Sequence, residues 1–418
     1  MSNIFTHISF QALGKQTIRR LVFVCLLAFS IAFEPAFGKL RPVQSVSFET
    51  VGTYVVMKVK INNSTPLNLI LDSGIRNTII TELFEGDQIT LNYSDVKDLM
   101  GLGGGEHLEA YSSNYNTFGI GKLRLSPKTI FVLKENIFNL SKHTGSRING
   151  LLGIDVFYNH VVDIDYSQKR VRFFDRASFI PPKGYQDIPL IVEGRKMYIQ
   201  LTVTEGNGKK RPVKMLIDTG AELNAWFQTY KKEPLEIPSK NIRTIIGQGL
   251  NGEITGKLAR VPEIQIGSHV LKNPVVSFPD SASIAGIIEN SDRDGTIGSQ
   301  LLSRFNYAVD YAGKHFYFKP NGNFKDMFSY NVAGIEVAQV LPFVPQAEVW
   351  KVWEDSPASI AGVREGDQIL EVNGQKAFQI TINELRKMFE TPSRFPLRLT
   401  LLRNSEEISV KIDMKSKI

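Results

Sequence analysis

The chain has 418 residues, of which 42% are hydrophobic and 22% are charged, and this composition excludes both disorder and a single small domain. Its 49 Lys and Arg residues outnumber its 42 Asp and Glu residues, but they are scattered along the chain, which argues against a nucleic-acid-binding surface. The six His residues form no metal-binding motif, so we expect neither a metal site nor another cofactor.

The N-terminal segment is typical of a signal peptide. Basic residues within Lys15–Arg20 precede an apolar run, Leu21–Phe33, and the small residues of Ala36–Gly38 follow it. This run is shorter than the roughly 20 residues that a membrane-spanning helix requires. We therefore expect residues 1–38 to be removed and the protein to be exported, with no transmembrane segment left. The only cysteine, Cys25, lies in this leader, which excludes disulfides and thiol catalysis from the mature chain.

The middle of the chain contains an internal repeat. Asn68–Gly74 resembles Lys214–Gly220, at an offset of 146 residues. Three further pairs keep nearly the same offset: Gly101–Gly104 with Gly247–Leu250, Phe118–Gly121 with Ile264–Gly267, and Gly150–Gly153 with Gly295–Gly298. The sequence therefore predicts two copies of one unit, roughly residues 42–180 and 186–320, joined by the Pro- and Gly-containing linker 181–184.

Strand signals dominate each copy. Alternating apolar and β-branched residues predict strands at Val55–Ile61 and, in the second copy, at Tyr198–Val203. Helical periodicity is confined to brief stretches near Thr81–Phe84 and Ser299–Leu302. We therefore expect each copy to form a small, mostly antiparallel β domain.

Each copy places one Asp at the end of an apolar strand, followed by a hydroxyl residue and a glycine. Two carboxyl groups placed face to face do not both ionise, so they share a proton. The ionised group takes a proton from a water that attacks a peptide carbonyl, and the protonated group donates to the carbonyl oxygen. We predict that Asp72 and Asp218 form this pair. Because the two groups titrate together, the sequence does not assign the base.

The residues that follow each Asp are expected to support the pair. Gly74 and Gly220 would let the backbone approach closely and donate N–H bonds to the carboxylates. The hydroxyl groups of Ser73 and Thr219 would fix the orientation of the carboxylates. Taken alone, Asp-Ser-Gly and Asp-Thr-Gly are also common turn sequences. The strands before them and the repeat around them favour the catalytic interpretation.

Asp72-Ser73-Gly74 and Asp218-Thr219-Gly220-Ala221 resemble the two signature motifs of aspartic peptidases. Gly150–Gly153 and Gly295–Gly298 resemble the later element with which that family braces the loop carrying each Asp. The resemblance covers roughly residues 45–320 and is closest to retropepsin-like bacterial peptidases with both halves in one chain. It implies two homologous, closed β-barrel-like lobes and a location in the bacterial envelope, periplasmic or extracellular.

The resemblance also implies flap hairpins that close over an extended substrate. Glycine-rich segments lie where the family places them, with Gly103 and Gly104 in the first hairpin and Gly249 and Leu250 in the second. The first copy departs from the family at Ile75-Arg76, since a small residue usually follows the glycine. That guanidinium would either lower the pKa values of the pair or point to solvent.

The last part of the chain has a different pattern. The run Asp355–Gly374 resembles the core of a PDZ domain, and residues 381–390 have helical periodicity. By that resemblance, Gly334 and Ile335 lie in the loop that grips a peptide carboxylate, and a peptide would add a strand beside Ile335 and Val337. The sequence leaves open whether this groove is accessible or is a closed structural cap.

Together these patterns predict a mainly β protein with a signal peptide at 1–38, aspartic peptidase lobes at 39–184 and 185–325, and a PDZ-like α+β domain at 326–418. The leading hypothesis is an aspartic endopeptidase, a hydrolase of protein or peptide substrates, whose PDZ-like domain recruits a substrate or partner by a C-terminal peptide. The alternative is a catalytically inactive, peptide-binding envelope protein of the same fold.

Overall fold

The computed structural model describes residues 41–102, 108–229, 233–249, 252–288 and 292–418. The signal-peptide prediction lies outside these residues. The predicted boundaries at 184/185 and 325/326 remain predictions, because Pro42–Ile418 forms one unit by its internal contacts. Among the described residues, no helix is long and apolar enough to cross a membrane.

The first repeat is a β structure whose sheet closes on itself. Its elements are β1 Gln44–Ser47, β2 Glu49–Val51, β3 Tyr54–Ile61, β4 Leu67–Leu71, β5 Ile79–Ile80, β6 Tyr93–Leu99, β7 Leu108–Ile120, β8 Leu123–Leu133, α1 Leu140–Thr144, β9 Gly150–Leu152, a 3-10 turn Ile154–Phe157, β10 Val161–Asp165, β11 Arg170–Phe174 and a 3-10 turn Arg176–Ser178. Eight strands follow the order β2-β3-β4-β9-β5-β8-β7-β6, and a further pairing of β3 with β7 closes the barrel. Apolar side chains such as Met57 and Leu69 fill its interior.

The second repeat has the same plan. Its elements are β12 Gln186–Pro189, β13 Ile191–Glu193, β14 Lys196–Thr204, β15 Lys210–Ile217, β16 Ala225–Phe227, β17 Asn241–Gly249, β18 Gly252–Arg260, β19 Glu263–Ile266, β20 His269–Lys272, β21 Val275–Pro279, α2 Ser281–Ile288, β22 Gly295–Ile297, α3 Ser299–Leu302, β23 Phe305–Asp310, β24 His315–Pro320 and a 3-10 turn Gly322–Lys325. Strands β18 and β19 together take the place of the long strand β7. The interruption between them contains Pro262, which has no N–H for a ladder hydrogen bond.

A shared sheet joins the two repeats. Its strand order is β1-β11-β10-β23-β24-β12, so the closing hairpin of each repeat lies beside that of the other. At the centre, Val162 pairs with Val309 and Ile164 with Tyr307. The closing hairpins of the two repeats thus form one continuous sheet between the lobes.

The C-terminal region is a smaller α+β domain. Its elements are β25 Ile335–Gln339, β26 Ala347–Val352, α4 Pro357–Ile360, β27 Gln368–Val372, β28 Gln375–Lys376, a 3-10 turn Ala377–Gln379, α5 Ile382–Glu390, β29 Leu397–Arg403 and β30 Glu406–Ile412. The sheet order β25-β26-β27-β29-β30 leaves β25 at an edge, with α5 packed beside it. Asn373 and Gly374 both have positive φ, as a tight turn requires, and Thr381 and Glu384 form a capping box at the start of α5.

Of the two short helices predicted in the repeats, one is present and one is not. Ser299–Leu302 is the helix α3. The helix predicted at Thr81–Phe84 was wrong, since this segment follows β5 without helical structure. The N–H groups of Thr81 and Glu82 both donate to Asn149 O, so tertiary hydrogen bonds override the local helical preference.

Candidate active site

The first dyad loop follows β4, a buried strand in the middle of its sheet. Strand β4 runs parallel to β9, with Leu71 opposite Leu152. The pairing continues one residue further, because the Asp72 N–H donates to Leu152 O at 2.8 Å. A bond from Ile154 N to Ile75 O, 3.1 Å long, then fixes the far side of the loop. These bonds therefore fix the position of Asp72 at the end of the strand.

The second dyad loop is built in the same way after β15. This strand runs parallel to β22, with Ile217 opposite Ile297. The Asp218 N–H donates to Ile297 O at 3.0 Å, and the Ser299 N–H donates to Ala221 O at 2.8 Å. The apolar-apolar-Gly element that the sequence marked in each copy is thus the strand that braces each Asp loop.

The two loops bring Asp72 and Asp218 together. The two carboxyl groups are close enough for the charge of Asp218 to act on Asp72, and each carboxyl group accepts a backbone N–H, from Gly74 at 2.8 Å and from Gly220 at 3.1 Å. Each glycine also faces the other loop. A methyl group at Gly74 would lie 2.5 Å from Asp218 Oδ2, and one at Gly220 would lie 2.2 Å from Asp72 Cγ. Any side chain at either position would therefore push the carboxyl groups apart.

The hydroxyl groups beside the dyad act differently from the prediction. Thr219 Oγ1 accepts the Ser73 N–H at 3.0 Å and donates to Leu71 O at 2.7 Å. Ser73 Oγ accepts the Thr219 N–H at 3.1 Å and donates to Ile217 O at 2.7 Å. The expectation that these hydroxyls orient the carboxylates directly is thus corrected, because their bonds tie each loop to the backbone of the other. Both side chains are buried, which strengthens these four bonds.

The electrostatic surroundings of the two carboxyl groups differ. Burial, and then the charge of Asp218, raise the pKa of Asp72 well above its usual value, against the N–H bonds of Gly74 and Ile75. Burial also raises the pKa of Asp218, but the positive charges of Arg293 and Lys196 and the Gly220 N–H oppose it. Because these cations oppose the rise in the pKa of Asp218, they favour the ionised form of Asp218 over that of Asp72.

Two β hairpins lie where the flaps were expected. Strands β6 and β7 form the first and β17 and β18 the second. Gly103, Gly104 and Leu250 lie outside the described residues, whereas Gly249 meets the other hairpin directly. A methyl group at Gly249 would lie 2.0 Å from Leu102 O. The two hairpins therefore touch at their tips.

Comparisons with known proteins agree with this geometry. Residues 57–156 and 199–301 match the family model described as aspartyl protease, and each segment contains one Asp of the pair. Residues 349–403 match the family model of the PDZ domain. The chain has an aspartyl protease domain in two halves and a C-terminal PDZ domain.

Curated relatives match over a shorter stretch. Tax1-binding protein 3 of Homo sapiens and that of Mus musculus are each 37% identical to this chain over 68 residues. The match takes in 16% of this chain and 55% of each relative, so the chain spans about half the length of these relatives.

The protease domain contains cations beside the dyad that the sequence did not single out. Arg293 is buried and stacks its guanidinium over Trp226, 5.4 Å from the ring centroid. Lys196 lies at the start of β14, where burial and then the charge of Arg293 lower its pKa while Asp218 acts in the opposite direction. Both residues lie more than 20 positions from Asp218 in sequence, so no local motif marks them.

Two positions were expected for the Arg76 side chain, either near the two Asp residues or pointing to solvent, and the structure has the second. Its side chain is exposed, and Nη2 lies 3.5 Å from Gly194 O on the surface. It therefore points to solvent. In the part of the chain that the structure describes, no three His, Asp or Glu side chains converge to hold a metal ion.

The PDZ domain has its peptide-binding elements, but they are engaged within the chain. The Gly334 N–H donates to Asn331 Oδ1 at 2.9 Å, and the Ile335 N–H lies 3.4 Å from the same oxygen. The Ala333 N–H donates to Phe389 O at 3.1 Å. The loop was predicted to grip a carboxylate, but its N–H groups already donate to acceptors within the chain. The side chains of Ile335 and Val337 are buried in the core.

Helix α1 of the first lobe lies against the groove of the PDZ domain. It packs on both β25 and α5, the two elements that flank the groove. At its end, a methyl group on Gly145 would lie 3.3 Å from Ile382 Cγ1 and 3.6 Å from Gln339 Nε2. The ring of His143 meets that of Trp350 edge-on, with centroids 5.1 Å apart. The protease domain itself therefore covers one end of the groove.

Proposed function

We propose that the protein is an aspartic endopeptidase that hydrolyses peptide bonds with a water activated by Asp72 and Asp218. The observation that carries the proposal is the meeting of two carboxyl groups, each held by a glycine N–H of its own loop and each facing the glycine of the other loop. Two such groups share one proton, which is the protonation state that the reaction requires.

The surroundings of the pair support an assignment of roles. Asp218, beside Arg293 and Lys196, is the base that takes a proton from water. The resulting hydroxide attacks the peptide carbonyl carbon while Asp72 donates its proton to the carbonyl oxygen. Collapse of the tetrahedral intermediate returns that proton to Asp72, and the proton held by Asp218 passes to the leaving nitrogen.

The hairpins support an extended substrate lying between them and the dyad. Leu102 from the first hairpin and Ile254 from the second both pack against an apolar cluster that contains Trp226. A peptide in the cleft would be covered by these apolar groups, which exclude water from the reacting carbonyl and strengthen the electrostatic interactions there.

The test is cleavage of an unfolded protein across pH 3 to 8 by the full chain and by Asp72→Asn and Asp218→Asn separately. Asp413→Asn is a matched control, because it removes an exposed carboxylate far along the chain. We expect wild type and the control to cleave, and each dyad variant to lose about a thousandfold in rate. A folded wild-type protein that cleaves nothing would instead favour the alternative, a non-catalytic peptide-binding protein.

We propose further that the PDZ domain binds a C-terminal peptide of a substrate or partner once helix α1 leaves the groove. Burial, and then the charges of Arg386 and Lys142, lower the pKa of His143 to about 4. A released His143 would titrate near its ordinary value of about 6.5. The docked state therefore weakens as pH falls from about 6.5 to about 4, because the released state binds the proton more tightly.

Fluorescence anisotropy with a peptide that ends in an apolar residue tests this binding. We expect the affinity of the wild type to rise between pH 7.5 and pH 5, while His143→Phe, which keeps an aromatic ring against Trp350, shows no such rise. The same peptide with an amidated C-terminus is the control. Equal affinity for the free and amidated peptides would exclude carboxylate recognition.

We propose, finally, that the protein is exported to the bacterial envelope. The proposal is supported by the basic, apolar and small-residue pattern of residues 1–38. Fractionation of cells that express the full chain, followed by N-terminal sequencing of the mature protein, tests both the location and the cleavage after Gly38.

A further inference from the structure

The PDZ domain reaches the second dyad loop through helix α5. Arg386 Nη1, on this helix, lies 3.6 Å from Glu222 Oε2. Glu222 is four residues beyond Asp218, in the loop that holds the carboxyl group in place. The Arg386 and Glu222 side chains are 30% and 25% exposed, so the pair is shielded from much of the solvent. This ion pair joins a charge of the PDZ domain to the loop that carries Asp218.

The other oxygen of Glu222 faces the first lobe. Oε1 accepts the Thr53 N–H at 3.3 Å, in the turn between β2 and β3. The approach is close, since a methyl group at Gly52 would lie 2.1 Å from this oxygen. Glu222 therefore bridges the PDZ helix on one side and the first lobe on the other.

A second contact fixes the same stretch of loop. Thr53 Oγ1 and Ser299 Oγ lie 2.8 Å apart, and Ser299 Oγ donates to Ala221 O at 3.0 Å. The turn at Thr53 thus holds the two residues that follow Asp218-Thr219-Gly220. It contacts Glu222 directly and Ala221 through Ser299. A change in the position of Glu222 would be transmitted to the dyad through only three intervening residues.

A half-buried carboxylate in this position needs a positive partner. The charges of Glu222 and Arg386 act on the Tyr54 hydroxyl, as do those of Asp72 and Asp218, so the ion pair and the two Asp residues share one neighbour. Without Arg386, the partly buried Glu222 carboxylate would lose its cation and turn toward solvent, and its bond to Thr53 would be lost.

We propose that Arg386 of the PDZ domain is a positioning residue for catalysis, which holds the Asp218 loop in place through Glu222. This inference rests on the proposed peptidase function and adds that the active centre is complete only with the PDZ domain docked. The PDZ domain would then control the turnover of peptides too short to reach its groove.

The experiment compares Arg386→Gln with Lys387→Gln in the full chain. Both changes remove one positive charge from helix α5, but Lys387 is exposed and forms no ion pair among the described residues. With a peptide substrate of about eight residues, we expect Arg386→Gln to lower kcat about tenfold with KM unchanged, since small displacements of a catalytic group have effects of this order. Lys387→Gln should match the wild type.

Glu222→Gln provides the second variant. The amide keeps an acceptor for the Thr53 N–H but carries no charge to be neutralised. In the Glu222→Gln background, Arg386→Gln should therefore change kcat less than about twofold. A purely structural role of Arg386 predicts the same loss in both backgrounds, and that result would overturn the proposal.

Hydrogen exchange separates failure of this proposal from failure of the peptidase function. Amide exchange in the segment 216–224 needs no substrate, and we expect it to be faster in Arg386→Gln than in Lys387→Gln. If no protein is cleaved but exchange differs as expected, the peptidase function fails and the positioning contact stands. If cleavage occurs and the two variants agree in both kcat and exchange, Arg386 has no positioning role.

Discussion

The loops that carry Asp72 and Asp218 have the same backbone but different surroundings. Each loop ends a buried parallel strand, donates a glycine N–H to its own carboxylate and clamps the other loop with a hydroxyl group. Yet the cations and the PDZ contact lie at the Asp218 loop, whereas Arg76 of the first loop points to solvent. The repeated backbone brings the two carboxyl groups together, and the charges around one loop give them different electrostatic surroundings.

The largest expected effect comes from breaking the shared backbone arrangement. Gly74→Ala and Gly220→Ala would each place a methyl group 2.2–2.5 Å from the opposite carboxyl group. We expect each to reduce the cleavage rate by at least about a hundredfold and to destabilise the fold by about 1–3 kcal/mol. Gly206→Ala is the control, because a methyl group there meets no atom within 4 Å. A variant that keeps full activity would refute the close approach of the loops.

The cross-loop hydroxyls test how symmetric the two loops are. Ser73→Ala and Thr219→Val each leave a buried N–H and a buried C=O without their hydroxyl partner. We expect each to lower the free energy of unfolding by about 1–3 kcal/mol. The exposed Ser239→Ala is the control. Denaturant unfolding measures the loss, and a large difference between the two variants would show that one loop depends on the clamp more than the other.

The stability of the two Asp→Asn variants should differ with pH. A raised pKa in the folded state means that wild-type stability falls as pH rises from the ordinary carboxyl pKa to the raised one. Asn avoids this loss, so Asp72→Asn should raise Tm by a few degrees at pH 7 and hardly change it at pH 3. Asp218→Asn should gain less, because the charges of Arg293 and Lys196 already oppose the rise in the pKa of Asp218. Thermal unfolding at pH 3 and pH 7 measures the change in Tm of each variant. Equal increases in the two variants at pH 7 would contradict the difference in charge between the two loops.

The smallest expected effect is a shift of the pH–rate profile. Lys196 lowers the pKa of Asp218, so Lys196→Met should move the acidic limb of kcat/KM to higher pH. Arg76→Gln is the matched control at the first loop and should leave this limb in place, because the Arg76 side chain is exposed. A shift of equal size in both variants would mean that the two loops do not differ in their charge surroundings.

Much of the site could be predicted from the sequence, because the repeat keeps its spacing. Short runs of neighbouring residues are enough to mark three kinds of feature. These are the motifs around Asp72 and Asp218, the bracing elements at Gly150 and Gly295, and the strand at Tyr54–Ile61. The wrong helix at Thr81–Phe84 shows the limit of this approach, since its backbone is held by Asn149, far along the chain.

The sequence by itself determined the repeat, the pair of Asp loops and the PDZ-like segment, because strand alternation, glycines and turn residues act over a few neighbouring positions. Only the tertiary structure decided which loop lies beside the cations, what the hydroxyls of Ser73 and Thr219 bind and where helix α1 and Arg386 dock. These contacts join residues that are tens to hundreds of positions apart, and they depend on where the folded strands place each side chain. No local pattern of residue types records them.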